Sequence, residues 1–283
     1  MKPSPFAYLA AETVDEAVEL LEHYGGDAKI LAGGQSLIPL MNLRLARPSV
    51  LVDISRVRSL GDITNGDVLT IGATATQIAV RESPDVKASC PVLSDAMRYV
   101  GHVATQSRGT FGGSAAHADP AAEIPALLVA LDAELVARGA TGERGIPADE
   151  FFQGYFTTAL SEGEVLTAIR VPHQNGVRAA FLEVSRRHGD FALVGVAVAA
   201  RMESDGIVRS SRVVVAGVSG TPKRMEMCEQ LLEGQSLETS IVDAAGAVVA
   251  DEVDPSSDVH ASSSYRRHVA GVLVRRALEE LKN

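Results

Sequence analysis

Two short stretches place paired glycines beside small hydroxyl residues. The first, Ala32-Gly33-Gly34-Gln35-Ser36, follows Lys29-Ile30-Leu31 and continues into Leu37-Ile38. The second, Gly109-Thr110-Phe111-Gly112-Gly113-Ser114, follows Arg108. Glycine permits left-handed backbone angles and has no Cβ, so consecutive N–H groups can converge on phosphate oxygens. Ser36, Thr110 and Ser114 would add hydroxyl donors. Set on either side of a diphosphate, two such loops would form a cradle that needs no lysine. Each pair taken alone is equally a tight turn, and the residues leave both readings open. Neither loop matches GxGxxG or GxxxxGK[ST], which argues against a Rossmann dinucleotide site and a P-loop. The sequence GQSLI around Ser36 lacks the second glycine of a GxSxG nucleophile elbow.

Other side chains with chemical potential are few. His117 follows the second loop in AAHADP, either as a polar ligand contact or as a residue that fixes the loop. Glu123 stands at the start of an apolar run, where an acid complements the helix dipole. Arg186, Arg187 and Asp190 in SRRHGDFAL read as a charged turn, while His102 and His188 are tempting but isolated. No HExxH pattern or Cys/His cluster proposes a metal site. Cys90 and Cys228 are the only cysteines, too few for the four thiolates of an iron–sulfur cluster. Two reduced thiols suit a cytoplasmic setting, although a disulfide between them remains open.

The 283 residues are 46% hydrophobic, 22% charged and 4% aromatic, with no Trp, so the core is built from aliphatic side chains. That length allows about two domains. A net charge of −10 with scattered cations offers no basic groove for nucleic acid and no attraction to an anionic membrane. The N-terminal MKPSPFAYLAAETVDEA lacks the apolar run of a signal peptide. IPALLVALDAELVA is interrupted by Asp132 and Glu134 and is too short to span a bilayer.

The elements that must hold these loops follow from periodicity. Residues 13–23 predict an amphipathic helix with a Thr13/Glu16 capping box, stopped by Gly25-Gly26. Strands are expected at 29–32 and 49–54, giving a small, largely parallel sheet. A further strand is expected within DVLTIGATATQI, and a helix over 91–100 begins with Pro91. Residues 101–125 read as a folded loop system running into a helix over 124–136. A boundary is placed within 171–179. Beyond it come strands at 180–185, 191–202 and 206–217, then helices at 223–232, 240–249 and 262–281.

AGGQSLIPLMNLRLARPSVLVDI, LTIGATAT, RGTFGGSAAHADPAAEIPALLVALDA, EVLTAIRVP, FLEVSRRHGDFALVGVA and VAGVSGTPKR, in this order, cover nearly the whole chain. With these motifs it resembles the FAD-binding medium subunit of molybdenum hydroxylases, the group of carbon monoxide dehydrogenase, xanthine dehydrogenase and bacterial N-heterocycle dehydrogenases. The resemblance implies an α+β architecture. A PCMH-type FAD domain would span residues 1–176, with subdomains about 1–57 and 58–176. A C-terminal domain over 177–283 would carry a three-stranded antiparallel sheet and a helical cluster. It implies phosphate contacts from Lys29, Ile30, Leu31, Ala32, Gly33, Gly34, Gln35, Ser36, Leu37 and Ile38, and from Arg108, Gly109, Thr110, Gly112, Gly113 and Ser114. His117 and Glu123 fall at further cofactor positions, Glu123 on the ribose or adenine side. Leu166 maps to an apolar contact near the flavin, and Asp190-Phe191 to a position beside the isoalloxazine ring. Leu182 aligns near a position that is basic elsewhere in the family.

The same resemblance implies partners. A large subunit would hydroxylate substrate at a molybdenum-pterin centre, and a small subunit would relay electrons through two [2Fe–2S] clusters to the flavin here. An external acceptor would then be reduced, within a cytoplasmic dimer of heterotrimers. No side chain of this chain is expected to attack the organic substrate. The alternatives are a self-contained FAD oxidoreductase with its own small substrate and a non-catalytic α/β assembly module.

Overall fold

The computed structural model describes residues 2–282. The chain opens with β1 (Ala7–Ala10), α1 (Val14–Tyr24), β2 (Ala28–Leu31), α2 (Leu37–Asn42) and β3 (Val50–Asp53). The three strands form a wholly parallel sheet in the order β1-β3-β2. Ile30 pairs with Val52 and Leu31 with Asp53, so β2 and β3 end level with one another. Helix α1 buries Ala17, Val18 and Leu21, three residues on one helical face, as the sequence pattern predicts. Thr13 Oγ1 accepts from the Glu16 N–H at 3.1 Å, and the Glu16 carboxylate accepts from the Glu12 N–H at 2.8 Å.

A second unit begins with β4 (Ile63–Asn65), β5 (Leu69–Gly72), α3 (Gln77–Glu82), α4 (Pro84–Ser89), α5 (Pro91–Ala96), α6 (Val103–Gln106) and α7 (Phe111–His117). It continues through α8 (Glu123–Ala130), β6 (Glu134–Gly139), β7 (Gly142–Pro147), α9 (Ala148–Phe151), β8 (Phe152–Gly154), β9 (Thr157–Thr158) and β10 (Val165–Val171). Its main sheet has the order β4-β5-β10-β6-β7. Phe111, Phe151, Leu93, Met97, Ile71 and Leu135 are fully buried in its core.

The last unit contains β11 (Val177–Ser185), β12 (Ala192–Met202), β13 (Val208–Ala216) and β14 (Lys223–Arg224), followed by α10 (Glu226–Leu232), α11 (Thr239–Glu252) and α12 (Ser263–Glu280). Three long antiparallel strands, β11 to β13, carry the two-residue β14 on one edge. Helix α8 lies against β12 and β13 and is buried at all eight positions, joining this unit to the one before it.

Several sequence expectations are corrected. The helix expected over 91–100 ends at Ala96. The stretch expected as loops contains α6 and α7, despite the two glycines in FGGSAAH, which lower intrinsic helix propensity. Helix α7 is held by the Thr110 cap and by fully buried Phe111. The helix expected over 124–136 ends at Ala130, Asp132 turns left-handed at φ 58°, and Glu134 opens β6. A continuous apolar run has no period that separates helix from buried strand. Lys223-Arg224, expected as helix, pairs with β13 instead. Cys90 and Cys228 are free, buried thiols, each pushed up to about 12 chiefly by burial.

Candidate functional site

The carboxyl ends of adjacent parallel strands leave a crevice where ligands commonly bind. Here β2 runs into Ala32–Ser36 and β3 into Asp53–Ser55, on one rim of a cavity of about 630 Å³. Leu31, Ala32, Gly33, Gly34, Gln35 and Ile38 line it from the first unit, and Arg108 and Thr110 from the second. The two glycine loops, far apart in sequence, therefore meet at one site. Contact between them is direct: a Cβ on Gly33 would lie 2.2 Å from the Arg108 carbonyl oxygen and 2.8 Å from Gly109 Cα.

The loops differ in what they offer. Among the described residues, the N–H groups of Gly33, Gly34 and Gln35 have no acceptor, and Gly34 takes φ 69°. Gln35 Nε2 donates to the Gly33 carbonyl at 3.1 Å, tightening the turn. On the second loop most amides are already bonded within the protein, and among the described residues Thr110 N–H is the one without an acceptor. Phe111 N–H donates to Ala75, Gly112 N–H to Ala73, and Gly113 N–H to Thr110 Oγ1, at 2.8, 3.1 and 3.0 Å. Its glycines serve packing, since a Cβ on Gly112 would lie 2.6 Å from Ala73 Cα. From this loop Thr110 and Arg108 line the cavity, and the Arg108 side chain is exposed and has no carboxylate partner among the described residues.

Three consecutive unpaired amides, an unpaired guanidinium and a hydroxyl around one cavity fit a diphosphate-bearing cofactor. Sequence reasoning missed Pro39, Asp53, Ser55, Thr74, Thr76 and Ser107 on the same walls. Asp53 is held at the rim, accepting from Tyr8 OH at 2.5 Å and from the Ser55 N–H at 2.8 Å. The same hydrogen bond pushes the Tyr8 phenol up. A polar residue ending the apolar strand SVLVDI was the available signal for Asp53; Thr74 and Thr76 carried none beyond a turn.

The remaining expected residues lie away from this cavity wall. Lys29 and Ile30 sit on β2, and Ser36 and Leu37 open α2. Gly109, Gly112, Gly113 and Ser114 lie behind Thr110 or within α7. His117 ends that helix, its ring 5.1 Å from Phe156, and burial holds its imidazole below the usual range. Glu123 opens α8 at 4% exposure, and burial pushes its carboxyl up to about 7. Glu183 on β11 is raised to about 8, first by burial and then by the charge of Glu123; its Oε2 has no partner. It stands beside Leu182, and nothing in FLEVS distinguished it. Leu166 is 5% exposed, inside the apolar core. Asp190 pairs with Arg186 at 3.6 Å, and the adjacent Phe191 is 57% exposed.

Comparison with known proteins agrees with this geometry. Residues 4–174 match the FAD binding domain in molybdopterin dehydrogenase, and residues 179–281 match the CO dehydrogenase flavoprotein C-terminal domain. The chain is 40% identical over 280 residues to the 6-hydroxypseudooxynicotine dehydrogenase complex subunit alpha of Paenarthrobacter nicotinovorans, covering 98% of this chain and 95% of the relative. A carbon monoxide dehydrogenase structure from Hydrogenophaga pseudoflava superposes with TM-score 0.95 at 39% identity, covering 99% and 98% of the two chains. Quinoline 2-oxidoreductase from Pseudomonas putida 86 superposes with TM-score 0.94 at 33% identity, again covering 99% and 98%.

Proposed function

Because the chain belongs to the family of FAD-binding medium subunits of molybdenum hydroxylases, we propose that it is the electron outlet of a multi-subunit dehydrogenase. It is a flavoprotein oxidoreductase subunit with the family's α+β architecture. In the finer reading, a large partner hydroxylates substrate at a molybdenum-pterin centre and a small partner passes electrons inward through two [2Fe–2S] clusters. The whole forms a dimer of heterotrimers that reduces an external acceptor. We place the boundary between the FAD-binding and C-terminal domains at residue 176, between β10 and β11.

One observation carries the reading: the run of unpaired amides on the first loop faces a cavity closed by Arg108 and Thr110. FAD, when bound, supplies a carrier that accepts electrons singly or in pairs. Gly33, Gly34 and Gln35 donate N–H groups to the pyrophosphate, and Arg108 neutralises its charge. Thr110 adds a hydroxyl, while Gly109, Gly112, Gly113 and Ser114 shape the wall that holds it. Lys29 through Leu31 and Ser36 through Ile38 set the angle at which the first loop enters. Helix α7 has seven residues, about 10 Å of length at 1.5 Å per residue, so it leads from the phosphate cradle toward His117. His117 and Glu123 bind the cofactor beyond that point. Leu166 backs the site from the core, and Asp190 and Phe191 control access to the ring.

The relatives are named for 6-hydroxypseudooxynicotine, carbon monoxide and quinoline, chemically unlike compounds in the names of proteins with similar chains. This supports placing substrate choice in another polypeptide. Affinity purification from the native host, with flavin, iron and molybdenum analysis, tests the proposal. The expected product is yellow, with one FAD per chain and two co-purifying partners, one of them cysteine-rich. A folded, colourless chain that refuses added FAD would overturn the flavin assignment. Flavin reduction by a small substrate in the isolated chain would overturn the division of labour.

A further inference from the structure

A second cavity, of about 680 Å³, lies apart from the walls described above. Arg81 from α3, Arg98 after α5, His102 before α6 and His188 from the loop between β11 and β12 line it, over the buried side chain of Gln106. The chain carries net charge −10, and many of its arginines are neutralised by acids, as in the pairs of Arg144 with Glu164 and Arg224 with Glu229. Among the described residues, Arg81 and Arg98 form no ion pair. The acid on the His188 loop, Asp190, is already paired with Arg186.

Both arginines are anchored at one point, although Arg98 remains exposed to solvent. Arg81 Nη1 donates to Gln106 Oε1 at 3.3 Å, and Gln106 Nε2 donates to the carbonyls of Met97 and Val100, each at 2.9 Å. Arg98 Nη2 donates to Tyr99 OH at 3.0 Å, with its guanidinium 4.8 Å from that ring's centre. Both guanidinium groups keep further N–H donors free. The opposite wall is closed by a tight approach of the C-terminal unit. Gly189, at φ 82°, lies where a Cβ would come 2.8 Å from His102 Cε1, and the His102 and His188 rings stand 6.0 Å apart. Only glycine lets that loop seat here.

We propose that this cavity is an anion site for a small organic phosphate, distinct from the dinucleotide cradle. Two half-fixed guanidinium forks match a tetrahedral dianion better than a planar carboxylate pair, because phosphate offers three acceptor oxygens to donors arriving from different sides. The volume lies in the range of small-molecule sites, so the phosphate is one end of a larger ligand. The assignment does not depend on the function proposed for the flavin.

Isothermal titration of the flavin-loaded protein in phosphate-free buffer tests this, with pyrophosphate, inorganic phosphate and succinate as probes. Pyrophosphate is expected to bind at one equivalent per chain, with succinate at least about tenfold weaker. Arg98→Ala should weaken pyrophosphate about tenfold while flavin content stays unchanged. His188→Ala on the facing wall should weaken it as well. Absence of pyrophosphate binding, equal binding of succinate, or unchanged affinity in either variant would each overturn the proposal.

Discussion

Gly33 and the carbonyl of Arg108 approach so closely that a Cβ on Gly33 would come within 2.2 Å of that oxygen. The paired glycine is thus required by contact between the two loops, before any ligand arrives. Gly33→Ala must push the loops apart, since backbone on both sides cannot rotate away. We expect a stability loss of about 2 kcal/mol and loss of most bound flavin after desalting. Gly66→Ala is the matched control, because nothing lies within 4 Å of its Cβ position. It should leave both melting temperature and flavin absorbance unchanged. Equal behaviour of the two variants would remove the loop contact from the account.

Thr110 carries two duties on one oxygen. Its Oγ1 accepts the Gly113 N–H, which caps α7, while its hydroxyl donates to no acceptor among the described residues and Thr110 lines the cavity. Thr110→Ala should cost about 1 kcal/mol for the cap and lower flavin affinity several-fold. Thr110→Ser keeps both functions and should behave like the parent in melts and flavin titrations. A serine variant as weak as the alanine variant would point to the methyl group instead.

The sequence made the two glycine loops legible because each sets a glycine pair beside small hydroxyl residues, a combination that recurs only at these two places. It did not reveal that the first loop leaves a run of amides unpaired while the second bonds most of its own, since two of the partners, Ala73 and Ala75, lie in the turn after β5 with no polar signature. Helix α1 was readable from a clean apolar stripe and a capping residue. Helix α7 was not, because its stability comes from burying Phe111 and capping by Thr110, both tertiary or backbone effects. The turn from α8 into β6 was hidden by an apolar run in which every α8 residue is buried. Asp53 and Glu183 were missed because one side chain's burial depends on distant strands.

Glu123 and Glu183 are both raised by burial, and Glu183 is raised further by Glu123. Asp119 adds repulsion at Glu123, while a hydrogen bond from Ser185 opposes the shift at Glu183. A carboxyl raised in the folded state takes up a proton on folding. Its favourable contribution is complete below the ordinary value of 4.5 and is lost as pH rises through about 8. Glu183→Gln removes that loss. The variant should melt with the parent near pH 5 and above it by about 3 °C or more at pH 8.5. A melting difference independent of pH across that window would mean that Glu183 is not held protonated.

Arg266, 7% exposed, ties α12 to the sheet of the C-terminal unit. Its guanidinium donates to the carbonyls of Leu193 and Gly217, which end β12 and β13 on the side nearest the flavin unit, and to Asp258 Oδ2 at 2.7 Å. Truncation removes the Arg266 donors from two strand-end carbonyls, and Asp258, about half exposed, loses its buried partner. Arg266→Ala should therefore cost about 3 kcal/mol. Arg266→Lys presents its three donors from a single nitrogen, without the span of the guanidinium fork that uses Nη1 and Nη2 here, and should recover only part of it. Because the cradle at Gly33 and Arg108 lies on other elements, flavin affinity measured well below the melting transition should stay at the parent value. A fall in that affinity matching the loss of stability would show that the C-terminal unit and the cradle fold as one cooperative body.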